Sequence, residues 1–310
     1  MANAPKSQVT LGLLIMYIAW GTTWLGIAYA VETMPPLISM SMRFFVASTI
    51  LLLVLAVRNG IGEIKLTKSQ LKTSALLGIF MLATGMGTAT TGAKVVPIGV
   101  ASLVVASMPI WIALFRFLDK DKPSKRTLFG LLVGLIGVSL IMLPGQTEAR
   151  PGAQGQNVLF WMIVIMLGSI SWAFTSYKSK GMDTPKNAFV LSAYEMLFAG
   201  IALLIASLLF GESFKDFING SAISYAGWIY LILVGSLLGF STYVWLLDNA
   251  PISLVSTYTY VNPIVAVGLG VLILGEKLSI NVLVGGAIVL AGVAIVIATE
   301  SKQIQPAEHV

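Results

Sequence analysis

The chain has 310 residues, 57% of them hydrophobic and only 10% charged, where a soluble domain carries roughly 45–50% apolar and about 25% charged residues. So few charges cannot cover a water-facing surface of this size, which excludes a soluble globular fold and makes a bilayer the solvent. The 19 basic residues against 13 acidic, a net charge of +6, raise the question of a polyanionic partner. The cysteine count is zero and the one histidine, His309, lies in a polar tail. Disulfides, thiolate metal sites and intramembrane imidazole chemistry are thereby excluded, and neither a metal nor a cofactor is expected.

Apolar stretches of about 20 residues, long enough as helices to cross a ~30 Å hydrocarbon core, recur along the whole chain. In order they run from Val9 to Val31, Pro36 to Val57, Leu71 to Lys94, Pro97 to Leu118, Thr127 to Leu143, Val158 to Lys178, Ala188 to Phe210, Ile223 to Leu247, Ile252 to Leu274 and Ile280 to Ala298. Turn signals separate them: Pro35-Pro36, Asn59-Gly60, Asp121-Lys122-Pro123, Pro144-Gly145, Thr184-Pro185, Asn249-Ala250-Pro251 and Gly275-Glu276-Lys277. The first stretch has two tryptophans and no small-residue cleavage pattern after it, so it reads as a span and not a signal peptide.

The basic residues orient the spans. With the N-terminus cytoplasmic, 14 of the 19 fall in cytoplasmic segments, four (Lys94, Arg150, Lys215, Lys277) on the other side, and Arg43 within a span. This bias places both termini in the cytoplasm. The positive charge is therefore mostly topology, and no nucleic-acid partner is expected.

The chain also repeats itself. A shift of 154 lays Pro97 on Pro251, Pro109 on Pro263, Gly85 on Gly239 and Thr88 on Thr242, and a shift of 155 lays Gly130 on Gly285, Gly137 on Gly292 and Val138 on Val293. Near the start of each half a shift of 152 pairs Trp20 with Trp172 and Arg43 with Glu195. Five spans per half is an odd number, so the second half enters from the opposite side. The expected fold is an all-α membrane protein of ten transmembrane helices in two inverted-topology five-helix repeats, the architecture of secondary transporters with a midplane site. The divisions are residues 1–146 for the first repeat, 147–157 for a periplasmic linker, 158–299 for the second repeat and 300–310 for a polar cytoplasmic tail.

Ile18-Ala19-Trp20-Gly21-Thr22-Thr23, Pro35-Pro36 followed by Met42-Arg43-Phe44, Ser169-Ile170-Ser171-Trp172-Ala173-Phe174, Glu195-Met196, and Tyr258-Thr259-Tyr260-Val261-Asn262-Pro263 followed by Gly275-Glu276 resemble the EamA-type transporters. These belong to the drug/metabolite transporter superfamily, and the likeness is greatest to its YedA-like branch. The resemblance implies a ten-helix inner-membrane exporter of amino acids, related metabolites or drugs. Its cavity would be lined by spans 1, 3, 4, 6, 8 and 9, and its substrate does not transfer.

Several residues are candidates for that cavity. Pro109 and Pro263 lie mid-span, where each frees a carbonyl, of Val105 and of Thr259; they read as hinges beside a cavity or as packed kinks. Span 9 is polar before its proline, with Ser253, Ser256, Thr257, Tyr258, Thr259, Tyr260 and Asn262. Tyr258 and Asn262 share a face, and their first-half equivalents are Val104 and Met108, so an asymmetric cavity is expected. Hydrogen bonds that serve packing alone are the other reading. Trp20, Trp24 and Trp172 lie too deep for the interfacial belt and read as aromatic walls or as core filling. Thr88, Met108 and Tyr243 join Trp20, Trp24, Trp172, Tyr258 and Asn262 as substrate-binding candidates, with Trp111 and Trp245 secondary.

Arg43 and Glu195 are the charges inside spans, each roughly 10 Å deep from opposite sides at 1.5 Å per residue. They should differ in depth by about 10 Å in a ~30 Å core, which argues against a direct salt bridge. Arg43 reads as a gate or latch and Glu195 as a proton-coupling carboxylate, against snorkelling of the one and protonation or capping of the other. Glycines on spans 5 and 10 read as close packing. Gly87-x4-Gly92-Ala93-Lys94 lacks the Gly-Lys-Ser/Thr of a phosphate loop, so ATP binding is not expected. The pattern fits a secondary transporter, monomeric or homodimeric, with partners limited to a small-molecule substrate and the lipid bilayer. It exports amphipathic metabolites such as amino acids or, alternatively, cationic drugs. A passive channel would show a more uniform polar ring, and no nucleophile sits beside a base to make an enzyme.

Overall fold

The computed structural model describes residues 5–119, 124–179, 181–250, 255 and 258–304. Among the described residues all regular secondary structure is helical. The helices are α1 (Lys6–Thr33), α2 (Pro36–Asn59), α3 (Lys68–Gly92), α4 (Ile98–Leu118), α5 (Lys125–Ile141), α6 (Val158–Lys178) and α7 (Ala188–Leu209). Next come α8, built from Ala222–Tyr230, Leu231–Gly239 and Phe240–Asn249, then α9 (Tyr258–Leu274) and α10 (Ile280–Ile304). Eight of them are long and apolar enough to cross a membrane, while α5 and α9, at 17 residues, are shorter. The expected ten crossings are thus matched at full length by eight. Ser253, Ser256, Thr257 and the tail beyond Ile304 lie outside the described residues.

Local chemistry sets the helix ends. Pro35 and Pro36 open α2, whose first turn needs no N–H from proline. Thr67 and Gln70 form a capping box on α3, and Ser124, Asn157, Asn187 and Ser221 cap α5, α6, α7 and α8 through their side chains. Between the caps the helices carry large apolar side chains on outward as well as inward faces. Residues such as Val57, Phe210 and Leu272 stand more than 80% exposed, an arrangement suited to lipid and not to water.

The packing repeats by an approximate two-fold. α2 lies on α7, α4 on α9 and α5 on α10; α1 packs on α8 and α9 just as α6 packs on α3 and α4. Exchanging each helix with the one five places later maps this set onto itself, as an inverted repeat requires. Small residues permit the contacts. A Cβ on Gly292 would meet the Gly134 backbone at 2.6 Å, and one on Gly137 would meet Val289 N at the same distance. Ser41 and Ser48 of α2 donate to the Gly200 and Ala193 carbonyls of α7, both at 2.7 Å.

Two interruptions depart from regular helix. α4 breaks at Ala106-Ser107, just before Pro109, and the freed Val105 carbonyl accepts from Ser169 Oγ of α6 at 3.4 Å. α9 instead runs unbroken through Pro263. α3 and α8 each contain a π-helical stretch, Gly78–Ala83 and Leu231–Gly239. At the shift of 154 the first maps inside the second, so the extra residue per turn is itself part of the repeat.

Candidate functional site

Several candidate side chains gather at the α8 π-stretch. Trp20 of α1 donates its indole N–H to Gly235 O at 3.2 Å and lies flat enough on Gly239 that a Cβ there would meet Trp20 Cδ1 and Nε1 at 2.7 Å. Tyr243 of α8 and Tyr258 of α9 complete an aromatic group. Their ring centroids are 5.1 and 5.0 Å from Trp20 and 6.0 Å from each other, with the two contacts to Tyr258 edge-on. One turn beyond Tyr258 on the same face, Asn262 Oδ1 is buried with no hydrogen-bond partner. A buried acceptor left open costs about 1–3 kcal/mol, so this atom is a destabilising feature one turn from Tyr258.

Arg43 reaches the same π-stretch from the other side. Its Nε donates to Ser236 Oγ at 3.1 Å, one Nη to Met40 Sδ at 3.4 Å, and its Cζ lies 5.4 Å from the Phe44 ring centroid. The guanidinium and Trp20 therefore grip consecutive residues, Ser236 and Gly235, of one irregular turn. Glu195 of α7 is 5% exposed, and its backbone packs on Gly78 at the start of the α3 π-stretch. No hydrogen bond or ion pair holds its carboxylate among the described residues, and the titratable side chain in its electrostatic range is Tyr243. Among the described residues no salt bridge joins Arg43 and Glu195.

The remaining candidates separate. Trp172 sits on Gly85, where a Cβ would meet its Cε3 at 2.5 Å, which is the inverse of Trp20 on Gly239. The α3 π-stretch exposes the Phe80 carbonyl, which accepts from Ser171 Oγ of α6 at 2.6 Å, as Gly235 O accepts from Trp20. Thr88 bonds back to Thr84 O at 2.8 Å and lies against Gly168. Trp24 is buried in the main apolar core with Ile27, Ala28 and Leu231. Met108 is half-buried at the start of the second half of α4. Trp111 donates to Ser107 Oγ at 3.0 Å, and Trp245 lines an open groove with Gln8, Leu11, Gly12, Ile15 and Thr242.

Sequence reasoning missed the two π-stretches, the glycines under the tryptophans and two carboxylate clasps. Glu212 accepts from Leu37 N at 3.1 Å and Ile38 N at 2.8 Å, and Glu276 accepts from Ile98 N at 2.6 Å and Gly99 N at 3.1 Å. Each side chain crosses from the second half to cap a helix of the first. Burial raises the pKa of both carboxylates above its usual value, against the lowering effect of the donated N–H bonds. Among the described residues no cluster of three or more histidine, aspartate or glutamate side chains could hold a metal.

The EamA-like transporter family matches residues 8–143 and again 159–298, one match per half. The uncharacterised inner membrane transporter YedA of Escherichia coli (strain K12) is 36% identical over 96% of this chain and 92% of its own length. The uncharacterised transporter YoaV of Bacillus subtilis (strain 168) is 25% identical over 92% of this chain and 95% of its own. A solved crystal structure covers 97% of this chain and 100% of its own with a TM-score of 0.61; at 17% identity it bears on the fold alone. With both halves matched and its helices built for lipid, the chain belongs to the EamA-like transporter family and is a membrane transporter.

Proposed function

We propose that this transporter works by alternating access and exports a small amphipathic metabolite, of which an amino acid or a related compound is the type, across the inner membrane. The observation that carries this reading is the cross-packed centre. There Trp20, Tyr243 and Tyr258 make an aromatic wall and Asn262 Oδ1, buried and unpaired, awaits an N–H or O–H donor. The first-half equivalents of Tyr258 and Asn262 are Val104 and Met108, so one half supplies the polar contacts and the other a smooth surface. An aromatic wall beside one acceptor suits a flat or branched apolar body carrying an ammonium or hydroxyl group. Inner-membrane residence is supported by the printed name of the YedA relative, and cytoplasmic termini by the distribution of basic residues.

In this mechanism Arg43, tied to Ser236, holds α2 on the α8 π-stretch as a gate. Glu195 carries the coupling proton, and Pro109 and Pro263 absorb the bending as the repeats rock. A second reading, export of organic cations, is favoured by the unpaired Glu195 carboxylate near Tyr243.

Counterflow in proteoliposomes tests both. Liposomes preloaded with an amino acid, a vitamin or a quaternary ammonium compound should take up the labelled form transiently above equilibrium. Glu195→Gln should keep counterflow but lose the pH dependence of net transport. Absence of counterflow across the whole panel would sink the carrier reading, and unaltered pH dependence in Glu195→Gln would sink the coupling role.

A further inference from the structure

The two carboxylate clasps lie at the same end of the bundle, the face opposite the chain termini, yet they join helix pairs of different character. Glu212 ties α2 to the segment after α7, a pair already bonded along its length through Ser41 and Ser48. Glu276 ties the first turn of α4 to the end of α9. Among the described residues α9 packs on Ile98–Val105, the half of α4 nearest this clasp. The other half, Met108–Leu118, packs on α5, α6 and α10. Between the halves lie the break at Ala106-Ser107 and Pro109. Among the described residues, α4 and α9 are therefore fastened to each other at the end that carries Glu276.

The fastening is specific in its construction. A turn at Gly275, with φ +64°, brings Glu276 back so that its own N–H donates to Gly270 O at 2.9 Å. Gly270 lies so close under the carboxylate that any Cβ there would collide with Oε2. Arg150 bonds Ala93 O at 2.6 Å and, through its own N–H, Val95 O at 2.9 Å. It holds the turn before α4 while lying in the electrostatic range of Glu276 and Glu32. A carboxylate that caps two N–H groups of the opposing repeat carries no information about substrate. It fixes the separation of α4 from α9 at this face.

We propose that Glu276 is the gate clasp of this transporter. Its two bonds to α4 close the cavity at the face opposite the termini and their release opens that face, whereas Glu212 is a permanent tie. This rests on the alternating-access reading above. The absence of cysteine from the sequence allows a direct test on the full chain in liposomes: spin labels at Lys94→Cys and Lys277→Cys, both exposed, with the distance read by pulsed electron resonance.

The parent chain should give one short population. Glu276→Gln, which retains a single acceptor oxygen, should add a population longer by about 5 Å or more, the scale of a one-turn displacement. Glu212→Gln should leave the distance unchanged. If Glu276→Gln does not fold, Glu276→Asp, with the charge kept and the reach shortened, should give the same second population. An unchanged distance in a folded Glu276 variant, or equal widening in Glu212→Gln, overturns the proposal. The distances need no substrate, so the two ideas fail separately. Widening without counterflow in any panel compound would sink the transport mechanism, and counterflow with unchanged distances would sink the clasp alone.

Discussion

Asn262 is the residue at which stability and transport should part company. Its Oδ1 is buried without a partner, so Asn262→Leu removes a desolvated acceptor at nearly constant volume. The unfolding temperature of the purified variant should hold or rise, by an amount corresponding to at most about 1–3 kcal/mol, while counterflow falls at least about tenfold. A variant that loses stability and transport together would make Asn262 a packing residue. The face it shares with Tyr258 was legible from their spacing of four, because nothing but helix geometry is needed. The same spacing relates Trp24 to Trp20, yet Trp24 lies in the main core and Trp20 among the tyrosines. Four residues hold a face to within about 40° but advance about 6 Å along the axis, and what a side chain meets there is decided by other helices. Arg43 and Glu195 stood out as charges in apolar runs, but their neighbours, Ser236 and Gly78, come from segments 193 and 117 positions away in sequence.

At the scale of the element, the repeat register predicted which residues correspond and left open which residues touch. Gly85 maps on Gly239 and Trp20 on Trp172, and in the folded chain each tryptophan lies on the glycine of the other half. The π-stretches beneath them could not be read from the sequence. One extra residue in a turn leaves a signature in an amphipathic helix, where the apolar stripe jumps, but not in a helix apolar all round. The two glycines make unequal predictions. Gly85→Ala should displace Trp172 and cost about 1–3 kcal/mol through overpacking, with transport reduced only as stability falls. Gly239→Ala drives its Cβ into the indole that donates to Gly235 O, and pushes Trp20 towards Tyr243 and Tyr258. Counterflow should then drop more than about tenfold at equal residual stability. Adding Trp20→Phe should recover part of the stability, with a coupling of about 0.5–3 kcal/mol in the double-mutant cycle. Additive effects in that cycle would remove the contact as the cause.

For the whole molecule, the packing of α2 on α7, α4 on α9 and α5 on α10 is symmetric under exchange of the halves, but the charges are not. By sequence, 14 basic residues fall in the segments assigned to one side of the spans and four in those assigned to the other. Short loops with such a bias are retained on the cytoplasmic side during insertion. Neither the fold nor its symmetry specifies which end faces the cytoplasm, because an inverted repeat is nearly the same object upside down. The loop charges alone break that degeneracy. A fluorescent protein fused after Ile304 should therefore fold and fluoresce, and alkaline phosphatase fused there should be inactive. The same phosphatase joined after Arg150, in the linker between the halves, should be active. The bias is also the quantity to perturb. Replacing Arg116, Lys125 and Arg126 by glutamine while adding lysines beside Arg150 narrows the difference, and the two reporters should then give mixed signals from a population inserted both ways. Reporters indifferent to these changes would mean that orientation is set elsewhere than in the loops.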